Sequence, residues 1–370
     1  MPLSRIQPHR YDALLAEKSA AVTAMLTPFE APSPVVYPSV PTGFRMRAEF
    51  RVWHSGDALD YVMFRPGDPR TPVPVADFPI ACEAIQALMP PLRDWLQGDT
   101  ELRRKLFQVE FLSTLAGDTL LTLAYHRPLD EAWEAAAGLV ADAFDVAIVG
   151  RSRGQKLVVR RDYVEERLAI HGRDYHYRQY EQSFTQPNAA VNRAMIEWAL
   201  DRAEGLSGDL LELYCGNGNF TLPLADRFAD VIATEVSKAS VRAALENARA
   251  NAIDNVQLIR LSAEETAAAM AGEREFRRLQ SLRRPLPDYA LNTLFVDPPR
   301  AGLDAATLQL AGRFDNILYI SCNPVSLASH LEALTRSHGI TAFAQFDQFP
   351  YTDHMECGVL LQRKSCHQGL

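Results

Sequence analysis

From residue 209 onward, short apolar runs recur with helix-patterned polar stretches between most of them. The runs are 209–214, 230–235, 256–261, 293–297, 316–321, 340–346 and 354–363. Near-continuous apolar runs of strand length, alternating with helices, predict a doubly wound α/β layer with a buried parallel sheet. Only a short turn containing Pro350 separates the last two runs. So brief a connection leaves no room for a crossover, so those two strands are expected to be antiparallel. The expectation is a seven-stranded sheet with six parallel strands and a reversed last strand.

The pattern is different before residue 176. Residues 12–27 have helical apolar spacing, and a proline-rich link follows. The segment 44–53, FRMRAEFRVW, alternates strictly, with Phe44, Met46, Ala48, Phe50 and Val52 on one face and Arg45, Arg47, Glu49 and Arg51 on the other. It predicts a half-buried strand showing three arginines to solvent, either a phosphate-contacting face or a plain solvated one. Further strands are expected at 61–64, 107–112, 120–125, 146–149 and 156–159, and helices near 80–97 and 130–143. Strands and helices segregate loosely, which suits an α+β domain. The predicted division is an N-terminal domain, 1–175, and an α/β domain, 176–370. At the junction, Phe184 and Gln186 in the loop SFTQPN lie just ahead of a helix.

The centre of the α/β half is the stretch 210–224, LLELYCGNGNFTLPL. It reads as a buried strand, a glycine turn and a helix start, with room for a ligand over the turn. Glu235 ends the next run 19 positions after Gly216, where an acid grips the ribose hydroxyls of an adenosine ligand. The turn is G-N-G-N-F and not G-x-G-x-x-G, with Asn219 in place of the pyrophosphate-facing pattern, which favours a nucleoside without a diphosphate. The stretch 265–288 interrupts the α/β rhythm and carries Arg274, Arg277, Arg278, Arg283 and Arg284. The first three have the spacing of one helix face, which suits a solvated surface or a phosphate clamp beside the active site.

Composition sets wide bounds. The 370 residues suffice for two domains, and 47% hydrophobic with 23% charged residues is ordinary for a globular protein. No run of eighteen apolar residues occurs, and the N-terminus lacks the apolar core of a secretory signal. The five cysteines (82, 215, 322, 357, 366) form no C-x-x-C pair, which speaks against a zinc ribbon or iron–sulfur cluster and fits a reducing cytoplasm. A net charge of −8 disfavours wholesale nucleic-acid binding but allows a local basic face.

Three loops converge on the carboxyl edge of the predicted sheet: Asp297-Pro298-Pro299-Arg300, Ser321-Cys322-Asn323-Pro324 and, because the last strand runs backwards, His354-Met355-Glu356-Cys357. Topology therefore joins Cys322 and Glu356 across 34 residues. A thiolate added to carbon 6 of uracil makes carbon 5 nucleophilic enough to take a methyl group, and a base must then remove the carbon-5 proton. Cys322 fits the nucleophile and Glu356 the base, with His354 and Asp353 as competitors for that role; Asp297 or a nearby amide would polarise the pyrimidine, and Arg300 would hold a phosphate or support the flipped base.

The motifs FRMRAEFRVWH, SFTQPNAA, ELYCGNGNF, FVDPPRAGLD, YISCNP and DQFPYTDHMECGVLL span nearly the whole chain. Together they resemble those of the RNA uracil-5-methyltransferases that make ribothymidine in the T-loop of tRNA. The resemblance implies a Rossmann-like class I S-adenosylmethionine methyltransferase domain behind an N-terminal RNA-binding domain. By matched motif it implies S-adenosylmethionine contacts at Gln186, Tyr214, Asn219, Glu235 and Asp297. It implies RNA contacts at Arg51, Phe107, His126, Phe184 and Arg300, and no metal. The partner implied is the T-arm of tRNA, and of transfer-messenger RNA, which carries a T-arm mimic. The related 23S rRNA enzymes carry a TRAM domain and a four-cysteine iron–sulfur cluster, which neither the N-terminus nor the cysteines here match. Two other readings stay open. One is a T-arm folding module whose methylation is incidental. The other is an amino-methyltransferase reading D-P-P-R as an N-P-P-Y analogue.

Overall fold

The computed structural model describes residues 3–65 and 67–364; Cys366 lies outside them. The chain forms two compact units. The first contains Val40–Leu168 and Arg178–Ala189 with the N-terminal residues up to Tyr11; the second contains Asp12–Ser39, Ala169–Tyr177 and the chain from Ala190 onward. The sequence placed a single boundary between 175 and 176. In the fold the chain returns to the second unit early, because Val22 and Leu26 on the helix Tyr11–Leu26 bury themselves in that unit's core.

In chain order, the strands among the described residues are β1 (Val35–Tyr37), β2 (Arg47–Ser55), β3 (Ala58–Arg65), β4 (Asp68–Pro74), β5 (Leu106–Ser113), β6 (Thr119–Tyr125), β7 (Ala147–Ser152) and β8 (Gln155–Val159). They continue with β9 (Tyr163–Ile170), β10 (Arg173–Tyr180), β11 (Asp209–Leu213), β12 (Val231–Thr234), β13 (Val256–Ile259), β14 (Leu291–Val296), β15 (Asn316–Ser321), β16 (His338–Phe346) and β17 (Glu356–Arg363).

The first unit holds a sheet in the order β4-β3-β2-β5-β6-β7-β8, antiparallel except for the β6–β7 pair. The helix Glu131–Phe144 makes that one crossover, capped by Asp130, whose carboxylate accepts from the Trp133 amide. The helix Glu83–Gly98 buries Ile85, Leu88, Met89, Leu92 and Leu96, the i, i+3, i+4 stripe expected of a helix lying on a sheet. The strict alternation read in 44–53 is real, since β2 alternates exposed and buried positions. Its polar face, however, shows solvent one arginine and not three. Arg47 pairs with Glu110 and donates to the carbonyls of Glu181 and Ser183, and Arg45 Nε donates to the Arg47 carbonyl at 2.8 Å; Arg51 remains exposed. Four basic residues around β7 and β8 are also engaged: Arg151 with Glu181, Lys156 with Asp162, Arg160 with Asp142 and Asp145, Arg161 with Asp118.

The second unit holds an eight-stranded sheet in the order β1-β16-β17-β15-β14-β11-β12-β13. All pairs are parallel except the two made by β17, which slots antiparallel between β15 and β16. The reversed last strand therefore matches the expectation, and the eighth strand corrects it. Val35–Tyr37, in the stretch read as a proline-rich link, pairs in parallel with β16 and covers that edge.

The arginine-rich stretch 265–288 corrects two readings. Arg274 and Arg277 do not share an α-helix; a loop leads into the 3₁₀ turn Arg277–Ser281. Nor do its last two arginines lie beside the candidate site. Arg284 pairs with Asp209 at 2.6 Å and Asp230 at 3.1 Å, and Arg283 pairs with Asp230 at 3.7 Å. Those aspartates stand at the amino ends of β11 and β12, the sheet edge opposite the motif loops.

Candidate active site

The sheet register assembles the site. In the parallel pairs Leu213 stands beside Thr234 and Val296, so one residue further Glu235, Tyr214 and Asp297 form a row along the carboxyl edge. In the antiparallel pair Ser321 faces Cys357, so one step beyond it Cys322 faces Glu356. Residues spread over more than 140 positions thus meet because each ends, or begins, a strand at the same edge.

The glycine turn is held in an unusual backbone conformation. Tyr214, Gly216 and Gly218 have φ of 62°, 55° and 88°, a region that a tyrosine seldom enters and that is found mostly where function requires it. A Cβ on Gly216 would meet nothing within 4 Å, so space over the turn is open to a ligand. Glu235 is fixed by two backbone donors: Oε2 accepts from the Gly216 amide at 3.1 Å and Oε1 from the Ser237 amide at 2.8 Å. Each carboxylate oxygen keeps a lone pair for a diol. Asn219 makes a reciprocal amide pair with Asn192, at 2.8 Å and 2.9 Å, which leaves its amide one donor and one acceptor for a ligand. The residues of this turn therefore fit an adenosine ligand. Asn192 was not singled out from the sequence: it lies 27 residues from its partner, on the helix Ala189–Ala203, and no local pattern marks it.

The reacting end carries a half-buried thiol among carboxyl groups. Burial raises the Cys322 thiol to about 11, with Glu356 and Asp297 pushing the same way and Arg300 opposing them. Burial also raises both Asp297 and Glu356, and the nearness of Asp297 raises Glu356 further. Glu356 is 3% exposed, and its Oε2 has no hydrogen-bond partner among the described residues. A buried carboxyl oxygen with nothing to accept from is costly unless a substrate supplies the contact, and a base of raised pKa is well matched to take a proton near neutrality.

Hydrogen bonds tie the three motif loops together. Asn323 caps the helix Pro324–Leu334 and donates through Nδ2 to the Arg300 carbonyl at 3.0 Å. The Arg300 guanidinium, which can only donate, reaches His354 Nδ1 at 3.2 Å, so that ring nitrogen is the acceptor. Burial and Arg300 both lower the His354 pKa, which agrees with a neutral ring. Gly302, at φ 80°, lies so close to the His330 ring that a Cβ would come within 2.2 Å, so the 297–304 loop must carry glycine there.

Gln186 and Phe184 belong to the first unit, on the stretch Arg178–Ala189; Gln186 is half-buried and Phe184 is 73% exposed. That unit also holds three more of the residues read as RNA contacts. The rings of Phe107 and His126 stack at 3.9 Å and 11°, and the Arg51 guanidinium lies 5.3 Å over the Phe107 ring. Tyr125, the residue before His126, is 2% exposed against Trp133.

Residues 10–364 match the family model described as tRNA (Uracil-5-)-methyltransferase. A tRNA/tmRNA (uracil-C(5))-methyltransferase of Aromatoleum aromaticum is 54% identical over 364 residues, covering 98% of each chain. One of Azotobacter vinelandii is 55% identical over 364 residues, 98% of this chain and 100% of the relative. The fold resembles the crystal structure of the Pyrococcus abyssi tRNA (uracil-54, C5)-methyltransferase in complex with S-adenosyl-L-homocysteine. That match has a TM-score of 0.70 at 19% identity, covering 95% of this chain and 83% of that one. No described helix is long and apolar enough to cross a membrane.

Proposed function

The chain belongs to the tRNA (uracil-5-)-methyltransferase family, and we propose that it methylates carbon 5 of the T-loop uridine of tRNA, the uracil-54 for which the archaeal enzyme is named. Transfer-messenger RNA is a second substrate, in keeping with the names of the bacterial relatives, and the cytoplasm is the place of action. The observation that carries this reading is the register that sets Cys322 opposite Glu356 on the edge that also bears Glu235, Tyr214 and Asp297.

S-adenosylmethionine, when bound, supplies an electrophilic methyl group. Tyr214, Asn219, Glu235 and Asp297 would hold it. Glu235 takes the ribose hydroxyls, since its carboxylate is already aimed by the Gly216 and Ser237 amides. Cys322 loses its proton to solvent, and the thiolate adds to carbon 6 of uracil, moving the ring electrons onto the oxygen at carbon 4. Carbon 5 becomes the nucleophile and is methylated. Glu356, as carboxylate, then removes the carbon-5 proton. The double bond reforms, the carbon–sulfur bond breaks, and the Cys322 thiolate is released. Arg300 and Phe184 attend the flipped bases. Arg51 and the Phe107–His126 stack form a platform for an unstacked base. That stack also favours a second reading, in which the T-arm is bound and remodelled apart from methylation.

The deciding experiment is trapping on a T-arm hairpin carrying 5-fluorouridine at the target position. Fluorine blocks the proton removal, so wild-type enzyme with S-adenosylmethionine is expected to yield a covalent adduct that maps to Cys322. Cys322→Ala is expected to yield none, to lose more than roughly a thousandfold in turnover, and to retain cofactor binding. Retained activity, or an adduct elsewhere, overturns the assignment.

A further inference from the structure

The helix Tyr11–Leu26 sends one cation into the loop that leads to Glu356. Lys18 Nζ donates to Asp347 Oδ1 at 2.5 Å, to the Phe349 carbonyl at 3.2 Å and to the His354 carbonyl at 2.8 Å. An ammonium has three N–H donors, and these acceptors use all three. The site is closed to water, with the Lys18 side chain 11% exposed and that of Asp347 1% exposed. A solvated lysine on an amphipathic helix would show neither feature.

The acceptors lie at both ends of one loop. Asp347 is the first residue after β16, and His354 stands two residues before Glu356 at the start of β17. Other bonds hold the loop as well: the Thr352 hydroxyl donates to the Phe349 carbonyl at 2.7 Å and receives the His354 amide at 3.2 Å, and the Asp347 amide donates to the Tyr37 carbonyl at 3.0 Å. Tyr351 is held at φ 63°. Lys18 ties both ends of the loop, the Asp347 carboxylate and the His354 carbonyl, to one distant helix. Without the ammonium, the buried Asp347 carboxylate would lose this cation and two carbonyls a donor, so both ends of the loop would lose an anchor. His354 would move with the loop, and through His354 both the Arg300 contact and Glu356.

We propose that Lys18 is a positioning residue for the proton-abstraction step, holding the loop 347–354 so that Glu356 meets the carbon-5 proton. This rests on the roles of Cys322 and Glu356 proposed above. It is tested with the full chain in single-turnover reactions on an unsubstituted T-arm hairpin with S-adenosylmethionine. Covalent adduct formation and adduct resolution are followed separately on denaturing gels, and thermal melting and cofactor affinity report the fold. Lys18→Met, with Lys18→Gln as a second variant, is expected to form the adduct at the wild-type rate. It is expected to resolve the adduct ~10-fold or more slowly, so that an intermediate which wild type clears accumulates. A merely structural lysine would lower the melting temperature and slow both steps alike. Equal slowing, resolution at the wild-type rate, or failure of both variants to fold overturns the proposal. Glu356→Gln is the control. If it accumulates adduct and the Lys18 variants do not, the Lys18 role alone falls. If it accumulates none, the reading of Glu356 falls and takes the Lys18 role with it.

Discussion

Cys322 is a thiol surrounded by carboxyl groups, and that decides its behaviour before any substrate arrives. Only the thiolate attacks, and burial with Glu356 and Asp297 nearby raises the thiol to about 11. A raised pKa means the proton is kept until higher pH, so the reactive fraction of the free enzyme climbs as pH rises through neutrality toward that value. Glu356→Gln removes one of the opposing negative charges. It is expected to shift the pH profile of Cys322 alkylation by iodoacetamide toward lower pH, read from the mass of the peptide containing Cys322. An unmoved profile would mean that the carboxylate does not face the thiol. Cys357, the next residue along the strand, is fully buried and its pKa is raised further, so it should stay unmodified and serve as the internal reference. That Cys322 and Glu356 lie together was legible in the motifs; the raised titration was not, because it depends on what else is buried beside them.

Among the elements, the glycine turn after β11 is the one most visible in the sequence and still incompletely described by it. The pattern G-N-G-N-F, with an acid 19 residues beyond its first glycine, identified the turn and Glu235. What holds Asn219 in place is Asn192, on the helix Ala189–Ala203. Asn192→Ala removes both bonds of the pair and leaves the Asn219 amide to rotate. The expected loss is about 1.5 kcal/mol, or roughly tenfold in S-adenosylmethionine affinity by calorimetry, with T-arm binding unchanged in the absence of cofactor. Affinity equal to wild type would separate Asn219 from the cofactor site. The arginine-rich stretch teaches the converse. Its spacing suggested a helix face at Arg274, Arg277 and Arg278, where a loop and a 3₁₀ turn lie instead, and Arg283 and Arg284 meet acidic partners at the far edge of the sheet. Spacing along a chain says nothing of which acids are waiting where the chain arrives.

In the molecule as a whole, the N-terminal segment 12–39 belongs to the second unit. Val22 and Leu26 lie in its core, Gln345 donates to the Thr23 hydroxyl at 2.9 Å, and β1 extends the sheet beside β16. A chain lacking residues 1–39 is therefore expected to lose stability in the α/β unit as well as in what remains of the N-terminal half. Burial of those two side chains alone is worth about 3 kcal/mol or more, and Asp347 would be left without Lys18. Urea denaturation followed by the fluorescence of Trp198, which packs on Phe346 at 6.0 Å, reads this directly. A midpoint equal to that of the full chain would refute it.

The sequence alone determined the strand–helix rhythm, the reversed last strand, the glycine turn and the meeting of Cys322 with Glu356. Each follows from local periodicity, connection length and the rule that motif loops of a parallel sheet gather at its carboxyl edge. Only the tertiary structure decided which charges are partnered and which face water. Alternation separates two faces of β2, yet whether Arg47 meets solvent or Glu110 depends on a strand 63 residues away. Lys18 finds Asp347 across 329 residues. Burial energy is local enough to be read as a pattern, but the pairing of buried polar groups is settled by packing between distant segments, and no spacing in the sequence records it.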